Sequence, residues 1–115
     1  MNEKGNGVNL SGLILAVLED NALHGYGIAR EIEKRSEDVL RYGEGSLYPA
    51  LRGLEKDGFI EGSWDTTGVG AAKKVYRLTS EGVAELRRAR VSWHEYSQSV
   101  DRVFLGKKSK LGEAQ

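Results

Sequence analysis

The feature that most constrains this chain is a long helical pattern near its C-terminus. No proline or glycine interrupts residues 83–105, and the apolar positions there recur every ~3.5 residues. A seam with this period is typical of helices that pair with another helix. Because a chain of 115 residues has little other surface to cover such a stripe, the sequence predicts a homodimer. The predicted interface consists of Leu86, Ala89, Trp93, Tyr96, Val100 and Val103.

Three shorter helices are predicted upstream from the spacing of their apolar residues. The first can be capped by Asn9 or Ser11, and its buried stripe is Leu10, Leu13, Ile14, Val17 and Leu18. The second covers residues 26–36 after a turn at residues 21–25. The third begins near Ser46 and ends at Gly58, with Pro49 in its first turn, where an amide donor has no partner.

A hairpin follows the three helices. Residues 59–65 and 73–78 are predicted as strands, and residues 66–72 form a glycine-containing loop between them. The predicted fold is therefore mainly α with a small β-hairpin, in the order of a winged helix-turn-helix. A winged-helix domain of this order is predicted to span residues 9–78, and a C-terminal helix capped by Thr79 and expected to dimerise spans residues 79–105. Residues 106–115 are expected to form a mobile polar tail.

Composition and motifs exclude several classes of protein. The chain has no cysteine, which removes disulfide frameworks and thiolate metal sites. Its longest apolar stretch, residues 13–18, is far shorter than the ~20 residues that span a bilayer, so we expect a cytoplasmic protein with no membrane partner. His94 lacks the second histidine of a metalloprotease helix, and no serine elbow is present. We therefore predict no enzyme, no metal site and no cofactor, and a structural hydrogen bond for His24.

The net charge and the distribution of charge favour different partners. The 17 basic and 17 acidic residues cancel, which argues mildly against nucleic acid. Residues 66–78, however, carry Lys73, Lys74 and Arg77 and no acid. A hairpin with this charge could lie along a DNA backbone or minor groove, or it could be an exposed loop with solubilising lysines.

The third helix offers a second candidate surface. Its apolar residues face inward, and the residues left on or near the outer face are Ser46, Pro49, Ala50, Arg52, Gly53 and Lys56. Small residues allow close approach to base edges, and an arginine can offer a bidentate fork to guanine or phosphate. The same face could equally be the solvated side of a packed helix.

Several sequence blocks resemble the PadR-type transcriptional regulators. They are HGY at 24–26, GEGSLYPAL at 43–51, LEKDG at 54–58 and YRLT at 76–79, followed by Gly82. The resemblance implies a winged helix-turn-helix repressor that binds an inverted-repeat operator in double-stranded DNA as a two-fold dimer and responds to a ligand. The single long C-terminal helix is similar to that of the short-chain members.

The resemblance also suggests roles for individual residues. It places Tyr26, Ser46, Tyr48 and Arg52 near DNA, with Lys73 and Lys74 on the wing. Some short members hold planar aromatic or cationic effectors between tryptophans of the last helix, which makes Trp93 a candidate effector platform; the alternative is that Trp93 packs in the dimer core. A winged-helix module that binds another protein rather than DNA is the alternative function.

Overall fold

The computed structural model of the protein describes residues 9–106. Within that range the elements are α1 (Leu10–Leu18), β1 (Leu23–His24), α2 (Gly25–Arg35), α3 (Glu44–Lys56), β2 (Ile60–Asp65), β3 (Lys73–Leu78) and α4 (Ser80–Leu105). This arrangement confirms the predicted winged helix-turn-helix with a long C-terminal helix. The tail predicted at residues 106–115 lies outside the described residues, except for Gly106.

Helix α1 lies at the centre of the hydrophobic core. Ile14, Leu15, Val17 and Leu18 are all at most 4% exposed, and the helix contacts α2, α3, α4 and β3. Asn9, one of the two predicted caps, accepts a hydrogen bond from the Gly12 amide and starts the helix. A nine-residue helix buried on so many sides depends on its neighbours for stability, because short isolated helices are marginal in water.

Helix α3 starts earlier than its apolar pattern indicates. It begins at Glu44, so Pro49 is its sixth residue. The prediction that this proline lies in the first turn is therefore wrong. Proline cannot donate to the carbonyl four residues back, that of Gly45. Because Gly45 is exposed, water can satisfy that carbonyl, and the helix continues through the proline.

The predicted end of α3 at Gly58 is confirmed. Gly58 has a φ of +82°, a left-handed conformation that favours glycine. Its amide donates to the Glu55 carbonyl, and the next amide, that of Phe59, donates to the Leu54 carbonyl. This pair of hydrogen bonds is a Schellman motif, which turns the chain directly from α3 into β2.

The three strands form an antiparallel sheet in the order β1-β3-β2. Strand β1 falls where the sequence predicted only a turn, and it pairs Leu23 with Tyr76 and His24 with Val75. In the hairpin, Trp64 lies opposite Lys74 and Asp65 lies opposite Lys73. Since side chains alternate along a strand, Lys73 and Lys74 are on opposite faces of the sheet.

Helix α4 is joined to the rest of the fold at its first turns. Thr79 accepts a hydrogen bond from the Gly82 amide, which confirms the predicted N-cap, and its hydroxyl donates to the Gly58 carbonyl. Gly82 is buried so close to the chain at Phe59 that a Cβ atom there would overlap the Phe59 carbonyl oxygen. The start of α4 is therefore locked against the α3–β2 junction.

The C-terminal half of α4 extends away from the core. The described chain measures 57 × 28 × 28 Å, and Val103 and Phe104 are more than 80% exposed. Leu86 was predicted to lie at a dimer interface. It is instead only 2% exposed in the single chain and belongs to the core of its own protomer. No helix in residues 9–106 is long and apolar enough to cross a membrane.

The close approach at Gly82 generates a stability prediction. Gly82→Ala is expected to lower the free energy of unfolding by ~1–3 kcal/mol, because the added methyl must displace backbone. Gly53→Ala is the matched control: Gly53 is also helical, nothing lies within 4 Å of its Cβ position, and the change should add ~0.5–1 kcal/mol. Urea denaturation measures both; equal stabilities of the two variants would contradict the close packing at Gly82.

Candidate nucleic-acid interface

The outer face of α3 is exposed as the sequence predicts. Leu47, Leu51 and Leu54 are buried, which turns the opposite side of the helix to solvent. The exposed residues of that side are Ser46, Pro49, Arg52, Gly53 and Lys56, whereas Ala50 is half-buried. A helix side with small residues at its start and cations further along has the shape and charge to enter a major groove.

The cations of this face form no ion pairs with other described residues. Among residues 9–106, Arg52 and Lys56 have no carboxylate within 4.0 Å, whereas Arg30 and Arg35 of α2 and Arg88 and Arg90 of α4 are paired. Arg90, for example, donates two hydrogen bonds to Glu19, at 2.8 and 3.3 Å. The Arg90 guanidinium also holds the pKa of Glu19 below its usual value. Arg52 and Lys56 therefore remain available for phosphate or base edges.

Tyr48 was predicted to face DNA, but its side chain remains packed against the core. It is half-buried and packs against the hydrophobic core, on the side of α3 that faces α2. A Cβ atom at Gly25 would lie 2.7 Å from the Tyr48 hydroxyl oxygen, so the two residues fit closely together. Tyr48 thus sets the packing of α2 on α3, and Gly25 leaves room for its ring.

Tyr26 is the exposed aromatic residue at the start of α2. Its side chain is 71% exposed, and its hydroxyl accepts a hydrogen bond of 3.1 Å from Arg30. The Arg30 guanidinium also lies 5.8 Å from the centre of the Tyr26 ring. The pair presents a phenol and a cation to solvent on one turn of helix.

The outer face of the hairpin carries Lys73. This lysine is exposed, and in the described part of the chain no carboxylate lies within 4.0 Å of its ammonium group. The neighbouring Asp65 is occupied by hydrogen bonds from the Thr67 amide and hydroxyl, at 3.0 and 2.7 Å. These bonds, followed by the influence of His24, lower the pKa of Asp65. The loop from Thr66 to Ala72 is exposed throughout and contains no acid.

Lys74 points to the other face of the hairpin, toward α3. Its ammonium nitrogen donates to Glu55 at 3.0 Å, and the two side chains are only about one-third exposed. The same nitrogen lies 5.9 Å from the Trp64 ring and 5.6 Å from the Tyr76 ring. Burial raises the pKa of the Tyr76 hydroxyl, and the nearby Lys74 opposes that shift. The pairing of Glu55 with Lys74 was not predicted from the sequence, although strand alternation places Lys74 on the same face as the buried Tyr76.

His24 bridges β1 and the hairpin. Its Nε2 atom is buried, lies 3.5 Å from an Asp65 carboxylate oxygen and makes no hydrogen bond within residues 9–106. The predicted structural hydrogen bond at this ring is therefore replaced by a longer approach to Asp65. No group of three metal-ligating side chains occurs in the described residues.

The seam predicted on α4 divides into two parts. Ala89 is half-buried with its Cβ 3.4 Å from the Cβ position of Gly12, so this residue faces α1 of its own chain, and Leu86 is buried in the same core. Trp93 is 50% exposed, and its ring lies 6.0 Å from that of Tyr96, with the planes tilted by 33°. Further along, Val100 is half-buried and Val103 is exposed.

The amino-acid sequence is similar to that of known transcriptional regulators. The sequence model of the PadR-like family of transcriptional regulators matches residues 14–88. The transcriptional regulator Rv3488 of Mycobacterium tuberculosis is 33% identical over 87 residues, which are 76% of this chain and 78% of that protein. An uncharacterized protein, X, of Lysinibacillus sphaericus is 31% identical over 98 residues, or 85% of this chain and 90% of that one. These matches are to a family of regulators rather than enzymes, in agreement with the predicted lack of catalysis.

Solved structures share the fold. A PadR-like transcriptional regulator from Bacillus cereus has a TM-score of 0.72 at 28% identity, covering 91% of this chain and 99% of its own. Bacillus subtilis PadR in complex with operator DNA has a TM-score of 0.62 at 30% identity, covering 69% of this chain and 45% of that longer one. The sequence match over residues 14–88, the two relatives above 30% identity and these folds agree, and the chain therefore belongs to the PadR-like family of transcriptional regulators.

Proposed function

We propose that this regulator is a cytoplasmic repressor that binds an inverted-repeat operator as a homodimer, with an affinity that responds to a small molecule. The observation that carries the proposal is the exposed outer face of α3, where Arg52 and Lys56 have no ion-pair partner in residues 9–106, next to a wing that presents Lys73. The likeness of the fold to a PadR structure bound to operator DNA supports the same conclusion.

In this proposal α3 is the recognition helix and enters the major groove. Arg52 offers the guanidinium fork that reads guanine, while Ser46 and Pro49 allow the helix start to approach the bases. Lys56, at the end of the same helix, and the exposed Tyr26, at the start of α2, are proposed to meet the sugar-phosphate backbone. Phosphate contacts position the protein, whereas base contacts provide its sequence preference.

The wing supplies further phosphate contacts. Lys73 is proposed to neutralise a phosphate beside the minor groove, and the acid-free loop at residues 66–72 adds no repulsion there. Binding of this kind releases counterions, so its strength falls with the logarithm of the salt concentration. A protein-interaction module would not show that dependence on duplex DNA.

The proposed homodimer rests on the exposed half of α4. Trp93, Val103 and Phe104 are at least half exposed in the single chain, and they continue an apolar side of a helix that extends beyond its own core. Tyr96 and Val100 lie along the same heptad seam. Pairing this half of α4 with a second copy would remove a large apolar surface from water. Two-fold symmetry then sets two recognition helices ~34–36 Å apart, one DNA turn.

Trp93 is the proposed effector site within that dimer. Its half-exposed indole lies beside Tyr96 near the middle of the seam, where a coiled coil ordinarily carries an aliphatic residue. Two indoles related by symmetry would leave a flat slot between the helices. Such a slot suits a planar aromatic molecule, and a cation is favoured further by the ring faces.

Replacing Arg52 and Lys73 separately tests the DNA interface. Arg52→Ala should weaken binding to the preferred duplex by ~1–3 kcal/mol and relax sequence preference, because a base contact is lost. Lys73→Ala should weaken binding to all duplexes and reduce the salt slope by ~0.9, because one phosphate contact is lost. Mobility shifts on the DNA upstream of the gene, and on a duplex selected from a random pool, measure both effects.

Arg88→Ala is the matched control for that experiment, because Arg88 is an exposed arginine on α4 that pairs with Glu85. It should bind like the parent protein. Parental affinity and specificity in Arg52→Ala would remove α3 from the interface, and the absence of any salt-dependent duplex binding by the parent would exclude the repressor.

Trp93→Ala tests the effector site in a protein where Trp64→Phe has already removed the only other tryptophan. A planar cationic dye should quench the remaining Trp93 emission, and the Trp93→Ala variant should lose dye binding while it still sediments at about twice 12.7 kDa. Dye binding by the variant can be followed from the dye's own fluorescence. If Trp93 is instead a core residue of the dimer, the dye will not quench it and the variant will lose ~3–5 kcal/mol of stability.

A further inference from the structure

Lys74 is a cation at the junction between α3, the proposed recognition helix, and the hairpin. It lies outside the exposed surface that is proposed to bind DNA. Lys74 leaves β3 on the face that also carries Tyr76, directly opposite Trp64 in the hairpin. Its ammonium group lies 3.0 Å from a carboxylate oxygen of Glu55, in the last turns of α3. The pair therefore joins two separate elements of the proposed DNA interface.

Gly62 provides the path for this contact. A Cβ atom at Gly62 would overlap the Cε atom of Lys74, and it would lie 3.2 Å from the lysine Cγ and 3.3 Å from a Glu55 oxygen. The aliphatic stem of Lys74 thus crosses the hairpin directly over the bare backbone of Gly62. A side chain at position 62 would make the lysine stem take a different path to α3.

Two aromatic rings enclose the ammonium group on the hairpin side. It lies 5.9 Å from the centre of the Trp64 ring and 5.6 Å from that of Tyr76, within the range of a cation–π interaction. Tyr76 is 6% exposed and belongs to the core. The position of Lys74 is therefore fixed from three sides, by a carboxylate and by two rings.

The adjacent Lys73 makes a direct comparison possible. Lys73 is exposed on the opposite face of the same strand, and in the described residues it has no ion-pair partner. Lys74 is 30% exposed and its charge is balanced by Glu55. A lysine whose charge is already neutralised within the protein releases few counterions when a phosphate approaches.

We propose that Lys74 is a positioning residue: its contact with Glu55 fixes the wing relative to α3, so that Lys73 and Arg52 reach the same duplex. Lys74 acts through those residues and does not itself bind phosphate. The inference rests on the proposed DNA-binding function and deepens it, since it separates two neighbouring lysines into different roles.

Neutralising variants first test the proposal on the duplex that the full-length parent binds. Lys74→Met removes the pairing but keeps the length of the stem, and it should weaken binding about tenfold, the size expected for lost coupling between neighbouring residues. Its salt slope should stay parental, whereas Lys73→Met, the matched control, should reduce the slope by ~0.9. Glu55→Gln should weaken binding in the same direction as Lys74→Met.

The double variant Lys74→Glu/Glu55→Lys decides between positioning and direct contact. It restores an ion pair of reversed polarity, so positioning predicts recovery to within about threefold of the parent at an unchanged salt slope. A lysine that contacts phosphate predicts no recovery, because the swap places a carboxylate at that phosphate, and it also predicts a reduced slope in Lys74→Met. Either of these results overturns the proposal. Thermal denaturation of each variant shows that it is folded.

The parent protein separates the two possible failures. If the parent binds no duplex at any salt concentration, the DNA-binding function fails, and the positioning role fails with it. If the parent and Lys73→Met show the expected slopes while the swap is not rescued, the DNA-binding function stands and only the role of Lys74 is overturned.

Discussion

Helix α1 packs against α2, α3, α4 and β3 at once, and the placement of every functional surface depends on that burial. Ile14 is fully buried, and Leu15 is 1% exposed, so α1 has no freedom to shift without its neighbours. Helices α3 and α4 therefore share one close-packed support. A displacement of α4 in a dimer would be transmitted through α1 to α3 by direct contact, because close-packed interiors transmit strain.

Ion pairs at the end of α1 reinforce this support from outside the core. Arg90 on α4 donates two hydrogen bonds to Glu19, and Arg35 on α2 pairs with the adjacent Asp20 at 2.8 Å. These groups are about half exposed, so each pair adds little to stability on its own. The two pairs connect α2 and α4 to the same short segment at the end of α1. Arg90, which forms one of them, lies only three residues before Trp93 on α4. The proposed effector site is thus close to an ion pair that joins α4 to the end of α1.

The elements with strong periodicity could be predicted from the sequence, and the exceptions have identifiable physical causes. The apolar stripe of α1, the Schellman end at Gly58 and the Thr79 cap each depend on residues within a few positions, so local pattern is sufficient. Strand β1 has two residues and exists through pairing with β3, some fifty positions away, which no local pattern records. Pro49 is the opposite case. The preference of proline for the first turn of a helix predicts a later start for α3, but the helix runs through the proline because the exposed Gly45 carbonyl can bind water.

Side-chain orientation in the candidate site was harder to predict than the elements that carry it. Lys73 and Lys74 carry the same charge and are neighbours on one strand, and they differ because Lys74 is on the face of β3 that Tyr76 packs against the core. The role of Tyr48 depends on the absence of a side chain at Gly25, 23 positions earlier in another helix. Surface assignments made from residue type therefore succeed where one helix decides exposure, as for Arg52, and fail where a distant element does.

The neutral net charge of the chain is consistent with DNA binding once the pairing of charges is considered. The acids at the α1 end and on α2 are matched to arginines on α2 and α4, away from the outer face of α3. Glu55 is the acid nearest in sequence to Arg52 on α3 that could oppose it, since residues three apart are neighbours on a helix. Lys74 neutralises that carboxylate from the wing. The charge of Glu55 is thereby balanced by an internal ion pair, and a phosphate that approaches α3 meets the local arrangement of charges rather than the sum over 115 residues.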